Sequence, residues 1–286
     1  MTTLYSELEK LVRIYQLLGD EYRAMAYMKA IANPDYVGPR IKAKIKEFKE
    51  TGKIQKISEL MTEYPRLKYA LAYDWILGFG IKLIDRVLDA GYNSPEELIA
   101  AINAGLIEIP EMARLGLKYR DDLARKIPRQ TVNFVANRIK EFINADKIVI
   151  AGSYLRGNPY SGDIDLVIIS NSSNSSNSIN MDALKKSPEF IGTSVSGPSK
   201  ITVLWKAAFV IAIDLNFVSE EDYIPALLHF TGSKRFNIYM REIARRLGMS
   251  LNQYGLFKRG KLIKVTSEKE IFDILKIPYV PPENRN

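Results

Sequence analysis

The sequence predicts an α+β fold: a helical N-terminal half, a central part with buried strands, and a small part of mixed pattern at the end. Three observations carry this. Segments before about residue 130 are helical in pattern and punctuated by Gly, Pro and charged turns. In the middle, Lys147–Ile150, Ile164–Ile169 and Ala207–Val218 are apolar runs of the composition expected of buried strands. Beyond Ser219 the pattern is mixed again, with Pro225 near a helix start. The expected divisions are residues 1–65, 66–129, 130–218 and 219–286, and 47% hydrophobic content over 286 residues suffices for several cores.

In the first part, Arg40 to Lys53 reads as a helix that Thr51-Gly52 ends. Stepping about 100° per residue from Ile41 puts Ile45 near +40° and Phe48 near −20°, one apolar stripe. Lys42, Lys46 and Lys49 fall on the far side, while Lys44 falls near −60°, at the stripe's margin, with Arg40 one turn before it. Lys44 is therefore the lysine most exposed to desolvation. Desolvation and a neighbouring cation both favour an amine nucleophile, and a plain snorkelling lysine fits the same position.

The second part contains Ile76-Leu77-Gly78-Phe79-Gly80-Ile81-Lys82, an apolar-Gly-x-Gly turn between helices. The glycines permit a tight turn that leaves backbone N–H groups at the next helix start to meet a phosphate. An ordinary helix–helix turn is the alternative.

The third part holds the sharpest signal. Gly152-Ser153-Tyr154-Leu155-Arg156-Gly157 is followed by Ser161-Gly162-Asp163-Ile164-Asp165, at the head of a strand. Side chains at i and i+2 share a strand face. Two carboxylates on one face pack poorly but suit hard divalent cations, and the Gly-Ser turn can present N–H groups to an anion. Together they suggest phosphoryl or nucleotidyl transfer. Asp214 is the only acid in the apolar run Ala207–Val218, and a buried carboxylate needs a partner or a metal. If its strand lies beside that of Asp165, three carboxylates converge. Between these strands runs Ser170–Ser178, a polar Asn-Ser tract expected to form a mobile loop.

These segments resemble family X DNA polymerases, the polymerase beta group. Besides the Gly-Ser and Asp-Ile-Asp motifs, Leu228-His229-Phe230-Thr231-Gly232-Ser233-Lys234-Arg235-Phe236-Asn237 is similar to that family's nucleotide-sugar motif. Arg241, Leu251–Leu256, the tail Ile277–Glu283, and upstream Leu115–Tyr119 and Lys126–Arg129 continue the match. The resemblance implies a helical lyase-like domain, a fingers-type helix-hairpin-helix subdomain, a nucleotidyltransferase palm with a mixed β-sheet and a small α/β nucleotide-selection C-terminal subdomain.

It implies that Asp163, Asp165 and Asp214 hold two Mg2+ ions, with Mn2+ as a substitute. Gly152, Ser153, Arg156, Ser161, Gly162 and Lys126 would surround the triphosphate. Phe230 and Gly232 would line the sugar, Asn237 would meet the base, and Arg241 would reach the template strand. Gly38, Arg40, Gly78 and Gly80 would contact DNA. Val37–Phe48 with Thr51-Gly52-Lys53 is similar to the lyase helix, which gives Lys44 the Schiff-base role and Arg40 a 5′-phosphate. Several positions depart from the family pattern. Leu17 and Leu18 replace basic residues of the 5′-phosphate grip, and Tyr36 replaces a hairpin glycine. Ala212 replaces an arginine two residues before the third carboxylate, His229 replaces a tyrosine, and Lys234 replaces an acid. None removes a metal ligand; altered fidelity, nucleotide affinity or sugar choice is expected.

Bulk properties agree. There are 41 Lys plus Arg against 33 Asp plus Glu, a net charge of +8 that favours a polyanionic partner. With no cysteine, a disulfide framework, a thiolate zinc site and a cysteine nucleophile are excluded. No membrane span or secretory leader is legible, so an intracellular setting is expected. The layout is expected to be minimal, with no BRCT domain ahead of the lyase-like part and no phosphoesterase domain behind.

The resulting expectation is a monomeric repair polymerase that fills short gaps in nicked or gapped double-stranded DNA with dNTPs, alongside a DNA ligase. A 5′-deoxyribose-phosphate lyase activity would accompany it. A template-independent terminal transferase, a lyase-dominant enzyme and a non-catalytic DNA-binding scaffold are the alternatives.

Overall fold

The computed structural model describes residues 3–33, 37–169 and 178–285. Tyr36 and residues 170–177 of the Asn-Ser tract lie outside the described residues. The chain divides into two compact units, Met1–Lys118 and Tyr119–Asn286.

The first unit is helical: α1 (Leu4–Leu17), α2 (Glu21–Ala32), α3 (Pro39–Thr51), α4 (Gln55–Glu63), α5 (Leu67–Tyr73), α6 (Ile81–Asp89), α7 (Pro95–Asn103) and α8 (Glu111–Lys118). Local chemistry sets the ends. Thr3 and Ser6 form a capping box, and Asp20 and Ser94 cap α2 and α7 through their side-chain oxygens. Gly52 closes α3 at φ 73°, as a left-handed C-cap requires. Two cores form. One gathers Leu8, Leu11, Ile14, Tyr27, Ile57 and Leu60, and Ile41 and Phe48 of α3 pack against it beside buried Ile45. The other gathers Tyr73, Ile76, Phe79, Ile84, Val87 and Leu117.

The second unit opens with α9 (Arg120–Leu123), β1 (Ile127–Pro128), α10 (Arg129–Lys140), β2 (Lys147–Ile150), α11 (Gly152–Leu155), β3 (Tyr160–Ser161) and β4 (Ile164–Ile169). Beyond the tract come α12 (Met181–Lys186), β5 (Phe190–Val195), β6 (Lys200–Lys206) and β7 (Val210–Val218). The main sheet runs β2-β4-β7-β6-β5. Only the β4–β7 pairing is parallel, so the sheet is mixed. Its buried residues, Val132, Val135 and Ile139 of α10 with Leu166, Val203, Trp205 and Leu215 among others, form one core.

A smaller α/β part follows: α13 (Tyr223–Thr231), α14 (Lys234–Arg246), the meander β8 (Met249–Asn252), β9 (Gly255–Lys258) and β10 (Lys261–Ile263), then α15 (Glu268–Ile274). Leu228, Phe236, Met240, Leu256 and Phe272 make its core. Arg285 is fully buried there, paired with Glu268 at 2.5 Å and flanked by the rings of Phe236, Phe272 and Tyr279. Its carbonyl accepts the Ser233 N–H at 3.0 Å, which ties the tail to the start of α14.

Candidate active site

β4 and β7 pair in register, with Asp165 opposite Asp214. Parallel partners present the same face, so both carboxylates project together, and Asp163 at the head of β4 joins them. One oxygen of each of Asp163, Asp165 and Asp214 lies within 4.8 Å of the others. Three acids this close repel one another. Burial, then the charges of Asp163 and Asp214, push the Asp165 carboxyl up to about 7. Burial and the Asp214 charge raise Asp163 as well. On the next strand, Thr202 donates its hydroxyl to Asp214 Oδ1 at 2.7 Å, and Lys200 Nζ lies 2.7 Å from Asp214 Oδ2.

The Gly-Ser turn sits against this cluster. Gly152 begins the one-turn helix α11 at φ 57°, and a methyl group placed on it would lie 2.3 Å from Asp165 Oδ2. Both facts demand glycine. Ser153 and the buried Ser161 hydrogen-bond through their hydroxyls at 2.9 Å. Arg156 is within Coulombic reach of Asp165 and Asp163; burial lowers its guanidinium and the two acids oppose that shift. Its Nη1 donates to the Thr231 carbonyl at 2.7 Å, which links the turn to the end of α13. Lys126 is exposed, and a methyl on Gly162 would lie 3.8 Å from its Nζ.

At the other side, His229 and Phe230 meet edge to face at 5.0 Å. Asn237 donates its amide to the His229 carbonyl at 2.7 Å, and Arg241 lies 3.2 Å from His229 Nδ1. Gly232 has φ 67° and leaves 3.4 Å between its Cβ position and Arg156 Nη1. Phe236, quoted in the same motif, is a core residue of this part. The fold thus brings together the acids, the serine pair, Arg156 and the Gly232 turn, while Asn237 and Arg241 are engaged with His229.

The first unit carries a separate cavity of about 860 Å³, lined among others by Tyr22, Arg23, Gly38, Arg40, Lys44 and Lys56. Lys44 is half-buried, whereas Lys42, Lys46 and Lys49 are exposed. Leu18 lines the cavity too, so that position brings no charge to it. Gly78 and Gly80 lie in the turn between α5 and α6, Gly78 at φ 86° and Gly80 as the N-cap of α6.

Residues 125–201 match the DNA polymerase beta palm family and residues 226–286 the DNA polymerase beta thumb family. DNA polymerase lambda of Rattus norvegicus is 26% identical over 98% of the chain and 55% of its own length. DNA polymerase lambda of Arabidopsis thaliana is 25% identical over 97% of the chain and 60% of its own. The DNA polymerase/3′-5′ exonuclease PolX of Bacillus subtilis is 26% identical over 94% of the chain and 49% of its own. A solved structure of Leishmania infantum polymerase beta in a ternary P/T complex superimposes with a TM-score of 0.68 at 27% identity, covering 78% of this chain and 99% of that one.

The chain is similar to the family X DNA polymerases.

Its fold is that of polymerase beta, with palm and thumb, and it spans between 49% and 60% of the length of the curated relatives named here. For a family X polymerase the acid cluster passes a chemical test of fit. Its donors are all carboxylate oxygens, the set that hard divalent cations take, and burial together with the neighbouring acids penalises the ionised form of Asp165, a penalty that a cation would offset. Sequence reasoning missed Lys200 and Thr202. The only available signal was their alternate spacing on the strand before Asp214. It also missed Arg285, whose role depends on where the tail folds.

Proposed function

We propose that this protein is a DNA-directed DNA polymerase that fills short gaps, joining a dNTP to a primer 3′-hydroxyl with release of pyrophosphate. The observation that carries the proposal is the in-register pairing of Asp165 with Asp214, with Asp163 alongside. Asp163 and Asp165 would hold two Mg2+ ions, with Mn2+ able to replace them, and Asp214 would hold the catalytic one; bound there, the cations would supply Lewis-acid stabilisation of the charge that develops during transfer. Asp214 orients the primer hydroxyl's surroundings for deprotonation. Ser153, Ser161 and the backbone at Gly152 and Gly162 cradle the triphosphate, with Arg156 and Lys126 countering its charge. Phe230 and the Gly232 backbone crowd the sugar 2′ position. Asn237 addresses the base, and Arg241 the template strand once released from His229.

The family resemblance and the net charge of +8 support gapped double-stranded DNA as the partner. The gap between the palm core, which ends at Phe217, and the core that starts at Leu228 supports a division near residue 218. We further assign the protein to an intracellular setting, as a monomer working beside a DNA ligase.

Incorporation on a one-nucleotide gap with a 5′-phosphate tests the polymerase reading. Asp214→Ala is expected to lose incorporation by at least about a thousandfold, since a metal ligand acts at the transition state; undiminished activity overturns the assignment.

The cavity of the first unit favours a second activity. The neutral amine of Lys44, half-buried beside Arg40, would add to the C1′ aldehyde of a 5′-deoxyribose phosphate and lose water to form a Schiff base. β-Elimination would then break the C3′–O bond and free the DNA 5′-phosphate, and Arg40 with Gly38 would meet the sugar's phosphate. Borohydride trapping on incised abasic DNA is expected to give a covalent adduct that Lys44→Ala reduces at least about tenfold. Equal trapping in the variant removes Lys44 from the role.

A further inference from the structure

We propose that Thr202 and Lys200 of β6 are positioning residues that fix the Asp214 carboxylate from the neighbouring strand. The proposal deepens the polymerase reading and rests on it. In the antiparallel β6–β7 ladder, Thr202 stands directly opposite Asp214, and Lys200, two residues earlier on the same face, stands opposite Asn216. The Thr202 hydroxyl reaches Oδ1 and the Lys200 ammonium reaches Oδ2, each at 2.7 Å.

Rotation of an Asp carboxylate about its last bond is soft. A single donor leaves that rotation free; one donor on each oxygen stops it. Each oxygen has a second lone pair, so the clamp leaves room for a cation on the open side. Nothing on β7 does this work. Ala212 and Asn216 share the face of Asp214, but Ala212 ends in a methyl group, and the Asn216 amide donates to the carbonyls of Leu166 and Asp214 at 3.3 and 3.4 Å. Thr202 is buried, 8% exposed, so its hydroxyl is spent on this contact rather than on water.

A carboxylate that swings loses alignment at the reacting oxygen, and small misplacements there cost up to about a hundredfold in rate. Asp214 is placed at the primer end and not on the incoming base, so the loss falls on the chemical step. Single-turnover gap filling, with Mn2+ binding to the DNA-free protein followed by electron paramagnetic resonance, tests this. Thr202→Val and Lys200→Met are each expected to slow incorporation at saturating dNTP about tenfold or more and to weaken Mn2+ binding several-fold. Apparent dNTP affinity should stay within about threefold. Thr202→Ser and Lys200→Arg should restore most of the rate; Thr202→Ala serves where valine prevents folding.

Wild-type rates and Mn2+ affinity in both variants, with Asp214→Ala inactive, overturn the clamp and leave the polymerase reading standing. Failure of serine to restore the rate shows that a hydroxyl at position 202 does not suffice to hold Asp214 and overturns the share of Thr202. Tighter Mn2+ binding in Lys200→Met makes the lysine a competitor of the cation and overturns its share. An active Asp214→Ala enzyme overturns the polymerase reading itself.

Discussion

His229 is the chain's single histidine, and its surroundings decide its charge. Burial first, then the Arg241 guanidinium, hold the imidazole down at about 4. A free histidine titrates near 6.5, so between these values the unfolded chain binds the proton and the folded chain does not. The stability due to neutral His229 is therefore complete above about pH 6.5 and is lost as pH falls towards 4. Wild type should lose more stability across that window than His229→Phe, in melting curves taken at a series of pH values. The lone imidazole should titrate near 4 by NMR, and a midpoint at its ordinary value would sink the assignment. At this scale the convergence of the first two acids with the Gly-Ser turn was legible because their spacing is local: Asp163 and Asp165 share a face by alternation, and Gly152 precedes them in one short segment. Asp214 was legible as a lone acid in an apolar run. Thr202 and Lys200 were not, because their meaning depends on which residue of β7 each one faces, and no local pattern states a register.

Among elements, the turn Ile76–Gly80 shows how glycine fixes a connection. A methyl on Gly78 would lie 2.7 Å from the backbone of Ala113, and one on Gly116 would lie 2.0 Å from the Leu77 carbonyl oxygen. Helix α8 therefore presses its backbone onto the turn, and Gly116 is required by that approach alone, with no positive φ involved. Gly116→Ala should destabilise the first unit by about 1–3 kcal/mol, the usual range for overpacking, read by urea denaturation of the isolated fragment. A change under about 0.5 kcal/mol, the range of neutral surface substitutions, would contradict the close approach. The Gly-x-Gly turn between α5 and α6 and the Gly52 cap were legible because Gly-x-Gly and Thr-Gly are strong local punctuation. The two-residue pairing of Ile127 with Ser161 and Pro128 with Tyr160 was not, since so short a ladder has no period and Pro128 reads as a breaker.

As a whole, the chain separates into units whose cores are built from their own residues. The fragment 1–118 should fold alone with the helical content of its eight described helices, and should retain borohydride trapping if Lys44 is the nucleophile. A fragment unfolded by circular dichroism would contradict its independence. The boundary by contact after Lys118 was not legible in the sequence, because α9 continues the helical pattern of the segment before it. The parallel register of β4 and β7 has a kinetic consequence. Asp165 and Asp214 are about fifty residues apart along the chain, and a parallel ladder cannot be made by a simple turn. Such long-range pairing closes slowly and late. If the helices collapse first, the three acids would meet late in refolding, and a slip of one residue between those strands would yield a compact protein in which Asp214 faces away from Asp163 and Asp165.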